Sequence, residues 1–179
     1  MNWQKYNWPL LVIAALATFA AASGLYYFWQ QHSVTKPLTL AIQKIDGVEA
    51  VSLPNKDKEQ ADLEIHVTLQ GVTNLQTTYE QLNRTIQTSI GSRHYKLILH
   101  GHPTASLEDF YYAIHYQIYE SIATGNFTTM SRTIQDKALA AGIKAQLYVD
   151  TDFIYLQLTT ATGNLCQVIP RQAGRKGVK

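Results

Sequence analysis

Residues 62–90, DLEIHVTLQGVTNLQTTYEQLNRTIQTSI, place a strand and a helix next to each other in the chain. In residues 62–69 apolar and polar side chains alternate strictly, which predicts a strand with one face on a core and the other in water. Asn74 is a residue type that caps helices, and after it apolar residues recur every three or four positions until Gly91. This spacing is typical of an amphipathic helix. The stretch therefore predicts a small sheet that is covered on one face by helices.

The same two periodicities predict eight further elements on either side of this stretch. They are a helix at 37–46, strands at 48–53 and 95–100, helices at 106–124 and 128–141, and strands at 144–150, 153–160 and 165–169. Ser106, with Asp109 three residues later, resembles a capping box at the start of the third helix. The order α-β-β-α-β followed by α-α-β-β-β predicts an α+β fold with a two-layer α/β domain over residues 37–169. The sequence leaves open whether this is one domain or two subunits, 37–102 and 103–169, with a boundary at 102/103.

The first five elements, residues 37–101, resemble three groups of small α/β modules in their order. These are the modules of ring-building secretion and sporulation proteins, the BON domains and the C-terminal domain of cation-efflux transporters. The shared local pattern is Ile45-Asp46-Gly47-Val48, which leads into the first strand. The resemblance implies a fold and carries no functional residue to this chain.

Residues 9–29, PLLVIAALATFAAASGLYYFW, form an apolar run without a charged residue. About 20 apolar residues cross a bilayer core about 30 Å thick, and aromatic residues cluster at both ends of the run, as at the two headgroup levels. The alternatives are a cleaved signal peptide and a buried helix of a soluble domain. The run exceeds the roughly 7–15 residues of a signal peptide core. The sequence therefore predicts a transmembrane helix over residues 9–30, with the lipid bilayer as its partner.

The residues around this run predict how the chain is organised. The short N-terminal segment 1–8 carries Lys5 and no acidic residue, which favours a signal anchor with the C-terminal domain outside the cytoplasm. A linker at 31–36 follows the run. The chain ends in a basic tail, 170–179, which is predicted to be disordered because it contains glycines and four cations but no acid. These features predict a single-pass protein of the cell membrane, most simply a bacterial one.

Two groups of residues have the composition of metal or acid–base sites. His100-Gly101-His102, with His94 upstream, offers imidazoles that could bind zinc, but no cysteine or carboxylate lies close by in sequence. Asp150-Thr151-Asp152 could bind a divalent cation, yet these residue types are also ordinary in a hairpin turn. The exposed loop and the turn are the favoured interpretations, and Cys166 lies in an apolar strand that favours a buried, inert thiol. The sequence therefore predicts no catalytic residue, no cofactor and no metal ligand.

Two stripes of residues could contact a protein partner. Tyr112, Tyr116 and Tyr119 share a second face of the third helix, where they either pack on the following helix or form a partner surface. Small residues recur by 3, 4 and 3 positions in the apolar run, which would allow close packing of helices in lipid. They are Ala14, Ala17, Ala21 and Gly24.

Composition gives further bounds on function. The chain has 179 residues and a formal net charge of +2, so no strong positive field favours nucleic acid as a partner. No phosphate-binding glycine loop, nucleophile elbow or zinc-protease motif is present. We therefore expect a non-enzymatic protein that serves protein interaction, assembly or self-association. The alternatives are an accessory or regulatory subunit of a membrane enzyme or transporter, and an enzyme without a sequence signature.

Overall fold

The computed structural model describes residues 12–13, 15–21, 23, 36–54 and 63–172. The chain divides into two compact units, residues 1–37 and 38–179, and each is described by itself. The named elements that follow residue 35 are α1 (Lys36–Gln43), β1 (Val48–Ser52), β2 (Leu63–Leu69), α2 (Leu75–Ile90), β3 (Tyr95–His100), α3 (Ala105–Thr124), α4 (Phe127–Ala140), β4 (Lys144–Val149), β5 (Phe153–Thr159) and β6 (Asn164–Pro170). This confirms the α+β class and the predicted order of elements.

The N-terminal unit corrects the predicted membrane helix. Among the described residues, none of the helices combines the length and the apolar character that crossing a membrane requires. The transmembrane helix over residues 9–30 and the single-pass cell-membrane localisation are therefore wrong on this finding. Residues 9–11, 14, 22 and 24–30 of the predicted span lie outside the described residues.

Strands β1, β2 and β3 form the first sheet, and they lie in that order. Strand β1 is antiparallel to β2, and β2 is parallel to β3. The alternation of β2 is realised in full, because Leu63, Ile65, Val67 and Leu69 are buried and the residues between them are partly exposed. Helices α1 and α2 contribute their apolar faces to the same cluster of side chains. The interpretation of residues 62–90 as a strand and its covering helix is thus confirmed.

Strands β4, β5 and β6 form the second sheet, which is antiparallel and has β5 at its centre. Alternate side chains of β5 enter two different clusters. Tyr155 joins the cluster beneath α2, whereas Ile154, Leu156 and Leu158 join the cluster beneath α3 and α4. Both faces of the second sheet are therefore covered, and the predicted two-layer arrangement is wrong for this part of the chain. The predicted boundary at 102/103 stays a prediction.

Asn164 connects the two sheets at the end of β3. Its backbone N–H donates to the His102 carbonyl at 3.0 Å, and its side-chain Oδ1 accepts from the His102 N–H at 2.8 Å. Its Nδ2 donates to the Leu69 carbonyl at 2.8 Å. The two segments approach so closely here that a Cβ at Gly101 or Gly163 would collide with backbone carbonyls of the opposite segment. Glycine is thus required on both sides of this junction.

The two predicted helix caps differ in outcome. The Asn74 side chain accepts a hydrogen bond from the Thr77 N–H at 3.2 Å, which confirms it as the cap of α2. The capping box at Ser106 is wrong, because Thr104 occupies the cap position of α3 and Ser106 already lies inside the helix. The Thr104 and Ser106 hydroxyls bond to each other at 3.0 Å instead.

Candidate functional site: the tyrosine face of α3 and the adjoining pocket

The tyrosine face of α3, which we define as Tyr112, Tyr116 and Tyr119, lies in solvent. These side chains are 67%, 75% and 56% exposed. At about 100° per residue they fall within about 60° of one another around the helix axis, on the side away from the core. The buried residues on the opposite side are Leu107, Ile114, Ile118 and Ser121. Packing of the three tyrosines against α4, which the sequence left open, is therefore excluded.

His115 makes ring contacts with all three tyrosines of the tyrosine face. Its Nδ1 donates to the Tyr112 carbonyl at 2.6 Å, because a carbonyl oxygen can only accept. Its ring centroid lies 3.8 Å from that of Tyr116, and 6.3 Å and 6.5 Å from those of Tyr112 and Tyr119, edge to face. Contacts of this kind restrict the rings, so the tyrosines form one ordered aromatic surface.

The charged residues of α3 all carry negative charge. Glu108, Asp109 and Glu120 are exposed on α3, and this helix has no lysine or arginine. Asp109 and Glu120 flank the tyrosines on one side, and Glu108 lies near the N-terminal end of the face, by the same rotation of about 100° per residue. The face is therefore aromatic with an acidic rim.

A pocket of about 300 Å³ adjoins the N-terminal end of this face, between β3, the first turns of α3 and β6. Its polar and aromatic lining residues are His100, Glu108, Tyr111, Tyr112, Cys166 and Gln167. Tyr112 belongs to both the pocket and the tyrosine face. The rings of Tyr111 and Tyr112 stand 6.3 Å apart at 55°, so they form two walls that meet at an angle. The pocket and the face are thus one continuous surface.

Burial controls the ionisation of two groups in the pocket. It raises the pKa of the Cys166 thiol to about 11, so this cysteine is protonated at neutral pH. Burial, and then the nearby hydroxyls of Tyr119 and Tyr112, raises the pKa of Tyr111 above its usual value of 10.0. The pocket therefore offers an uncharged thiol and an uncharged phenol, and the predicted inert character of Cys166 agrees with its burial.

The histidines that looked most like metal ligands are engaged with other partners. The rings of His66 and His100 approach at 2.9 Å between Nδ1 and Nε2, so one nitrogen donates a hydrogen bond to the other. The planes of the two rings differ by only 11°. Because the ring centroids are 5.1 Å apart while the two nitrogens are only 2.9 Å apart, the rings lie end to end rather than face to face. His102 Nε2 lies 2.5 Å from the Glu49 carboxylate. No three histidine, cysteine or acidic side chains of the described residues converge as metal ligands.

The paired carboxylates of Asp150 and Asp152 belong to a hairpin turn. Asp150 Oδ1 accepts from the Asp152 and Phe153 N–H groups, both at 2.7 Å, and Oδ2 accepts from the Tyr155 hydroxyl at 2.7 Å. The carboxylate is thus used to fix the turn between β4 and β5, which confirms the interpretation from sequence.

Most residues of the pocket were not predicted from the sequence as parts of one site. Glu108, Tyr111 and Tyr112 are spaced i, i+3 and i+4, which indicates one side of a helix and was a usable signal. His100 and Gln167 come from strands 67 positions apart, and only the contact between β3 and β6 brings them together. Of the predicted small-residue stripe, Ala17 and Ala21 are exposed and helical. Ala14 and Gly24 lie outside the described residues.

No protein-family model matches the chain, and neither a curated protein nor a solved structure matches it.

Proposed function

We propose that this protein is a non-enzymatic interaction domain, and that the tyrosine face of α3 is the surface that binds its protein partner. The observation that carries the proposal is the exposure of three adjacent tyrosines, of which Tyr116 is 75% exposed. Single exposed apolar residues are common on protein surfaces, whereas a contiguous aromatic patch is a mark of an interaction site.

The chemistry of tyrosine supports this role. A tyrosine offers a large apolar ring and a polar tip, and it loses little conformational freedom on binding, so tyrosine is enriched at interfaces and their hot spots. Here His115 already restricts the rings, which lowers the entropic cost of binding further. The three acidic residues form the polar rim that surrounds the contact region of many interfaces.

The arrangement of α3 also separates binding from folding. The core of the domain uses the opposite side of this helix, where Ile114 and Ile118 are fully buried. Replacement of an exposed tyrosine therefore removes binding surface without opening a cavity.

A photo-crosslinking amino acid at position 116 tests the proposal in the cells that produce the protein. Leu139 on α4, which is 81% exposed, is the matched control position. We expect one defined adduct from position 116 that is absent from position 139. Tyr112→Ser combined with Tyr119→Ser should abolish that adduct while the far-UV spectrum stays unchanged. An adduct that persists in this double variant, or identical adducts from both positions, would contradict the proposal.

A further inference from the structure

We infer that the pocket between β3, α3 and β6 binds a positively charged side chain, an arginine or a lysine, of the protein that docks on the tyrosine face. This inference rests on the proposed function and extends it to the chemistry of the partner. It follows from the charge, the aromatic walls and the position of the pocket.

The charge of the pocket selects a cation. Glu108 is the carboxylate among its lining residues, and neither a lysine nor an arginine lines it. His100, the imidazole of the lining, is already hydrogen-bonded to His66 through Nε2 at 2.9 Å. A guanidinium or ammonium group that enters the pocket would gain a charge-assisted hydrogen bond to Glu108. An anion would face the same carboxylate and be repelled.

The walls of the pocket favour the same ligand. Tyr111 and Tyr112 both line the pocket, and their ring centroids lie 6.3 Å apart at an interplanar angle of 55°, so a cation in the pocket lies near two aromatic rings. Cations are attracted to the faces of aromatic rings, and two rings in this arrangement form part of an aromatic cage. Gln167 of β6 also lines the pocket, and a glutamine side chain carries an oxygen that can accept a hydrogen bond.

Size and position indicate that the cation comes from a protein rather than from solution. A volume of about 300 Å³ lies at the lower limit of ligand pockets, which suits one long side chain. Tyr112 forms part of the pocket and is 67% exposed on the tyrosine face. A chain that lies along the tyrosine face can therefore place one basic residue in the pocket. Helix α3 also carries Asp109 and Glu120 and has no basic residue, so it attracts a positively charged segment.

The test uses the full chain and three blocked pentapeptides, Gly-Ser-Xaa-Ser-Gly, in which Xaa is arginine, lysine or citrulline. Citrulline has the shape of arginine without its charge. Binding is measured by amide chemical-shift titration at low ionic strength. We expect the arginine and lysine peptides to bind about tenfold more tightly than the citrulline peptide, with the largest shifts near Glu108, Tyr112 and Gln167.

Glu108→Gln should remove the preference for arginine over citrulline, because it replaces the carboxylate by a neutral amide of the same size. Glu80→Gln is the matched control, since this exposed glutamate lies on α2 and belongs neither to the pocket nor to the acidic rim of the tyrosine face. Equal affinity for arginine and citrulline peptides, or a preference that survives Glu108→Gln, would overturn the inference. A specific crosslink at position 116 together with equal peptide affinities would leave the docking face standing and reject the pocket. A charge preference that depends on Glu108 without a specific crosslink would support the pocket and reject the docking face.

Discussion

Replacing Asn164 with alanine should loosen the connection between the two sheets. The side chain of Asn164 makes two hydrogen bonds across the junction, one to the His102 N–H and one to the Leu69 carbonyl, both at 2.8 Å. Alanine removes both and keeps the backbone bond from Asn164 N–H to His102. The perturbation is therefore confined to the side-chain part of the junction.

The magnitude follows from the exposure of the two partners. His102 is exposed, so water replaces much of its lost bond, and the loss costs about 0.5 kcal/mol. Leu69 is fully buried, and leaving its carbonyl without this donor costs about 1–3 kcal/mol. We expect Asn164→Ala to lower the free energy of unfolding by about 1.5–3.5 kcal/mol in total.

Urea unfolding followed by far-UV circular dichroism measures this loss as a lower midpoint at an unchanged slope. Asn164→Asp keeps the oxygen that accepts from His102 but lacks the donor to Leu69, so it should retain most of the destabilisation. Thr162→Ala, an exposed change in the same turn, serves as the control and should shift stability by less than about 0.5 kcal/mol. A loss below 0.5 kcal/mol for Asn164→Ala would show that the junction does not depend on this side chain.

Three further predictions concern buried groups. Ile65→Ala should lower the free energy of unfolding by about 2–5 kcal/mol, because Ile65 is fully buried in β2. His66→Ala should lower it by less than about 1.5 kcal/mol. Equal losses in urea unfolding would contradict the one-sided burial of this strand. Cys166 should react slowly with a thiol reagent at pH 8 and rapidly in urea, since burial raises its pKa to about 11; fast labelling of the native protein would show that the thiol is accessible. Burial and then the hydrogen bond to Asp150 raise the pKa of Tyr155 well above 10.0. Its unfolded form therefore loses the proton first, and stability should fall above pH 10 by up to about 1.4 kcal/mol per pH unit. Tyr155→Phe should remove that part of the slope, and an identical slope in both proteins would refute the assignment.

The element order could be predicted from sequence because each helix and strand has its own period. The strict alternation around Ile65 and the helical stripe after Asn74 are local signals, and both were realised. The membrane helix was wrong although its composition was suggestive. Apolar character and aromatic residues at both ends show that a segment is compatible with lipid, but they do not by themselves establish a helix that spans a membrane.

The candidate site was only partly predictable. The tyrosines were visible as a helix face, yet whether the face is covered depends on where α4 packs, and no local pattern encodes this. The partner of His100 is His66, 34 positions away, because β2 and β3 are parallel and α2 lies between them. The predicted two-layer arrangement was wrong for a similar reason, because it also depends on contacts between distant parts of the chain. Residues 154–158 of β5 are buried on both faces although Gln157 is polar, and only the packing of two separate clusters against this strand shows that both faces are covered.

The position of β5 between two apolar clusters has a consequence for synthesis of the chain on the ribosome. The cluster beneath α2 is completed by Tyr155 and Cys166, which are translated long after the strands of the first sheet. At about 5–20 residues per second, the roughly 70 residues that follow β3 take several seconds to appear. During this interval the nascent chain exposes an incomplete apolar cluster, which favours aggregation. Synthesis of β5 and β6 is therefore the step that allows the whole domain to reach its native state. A nascent chain that stalls before these two strands should require a chaperone.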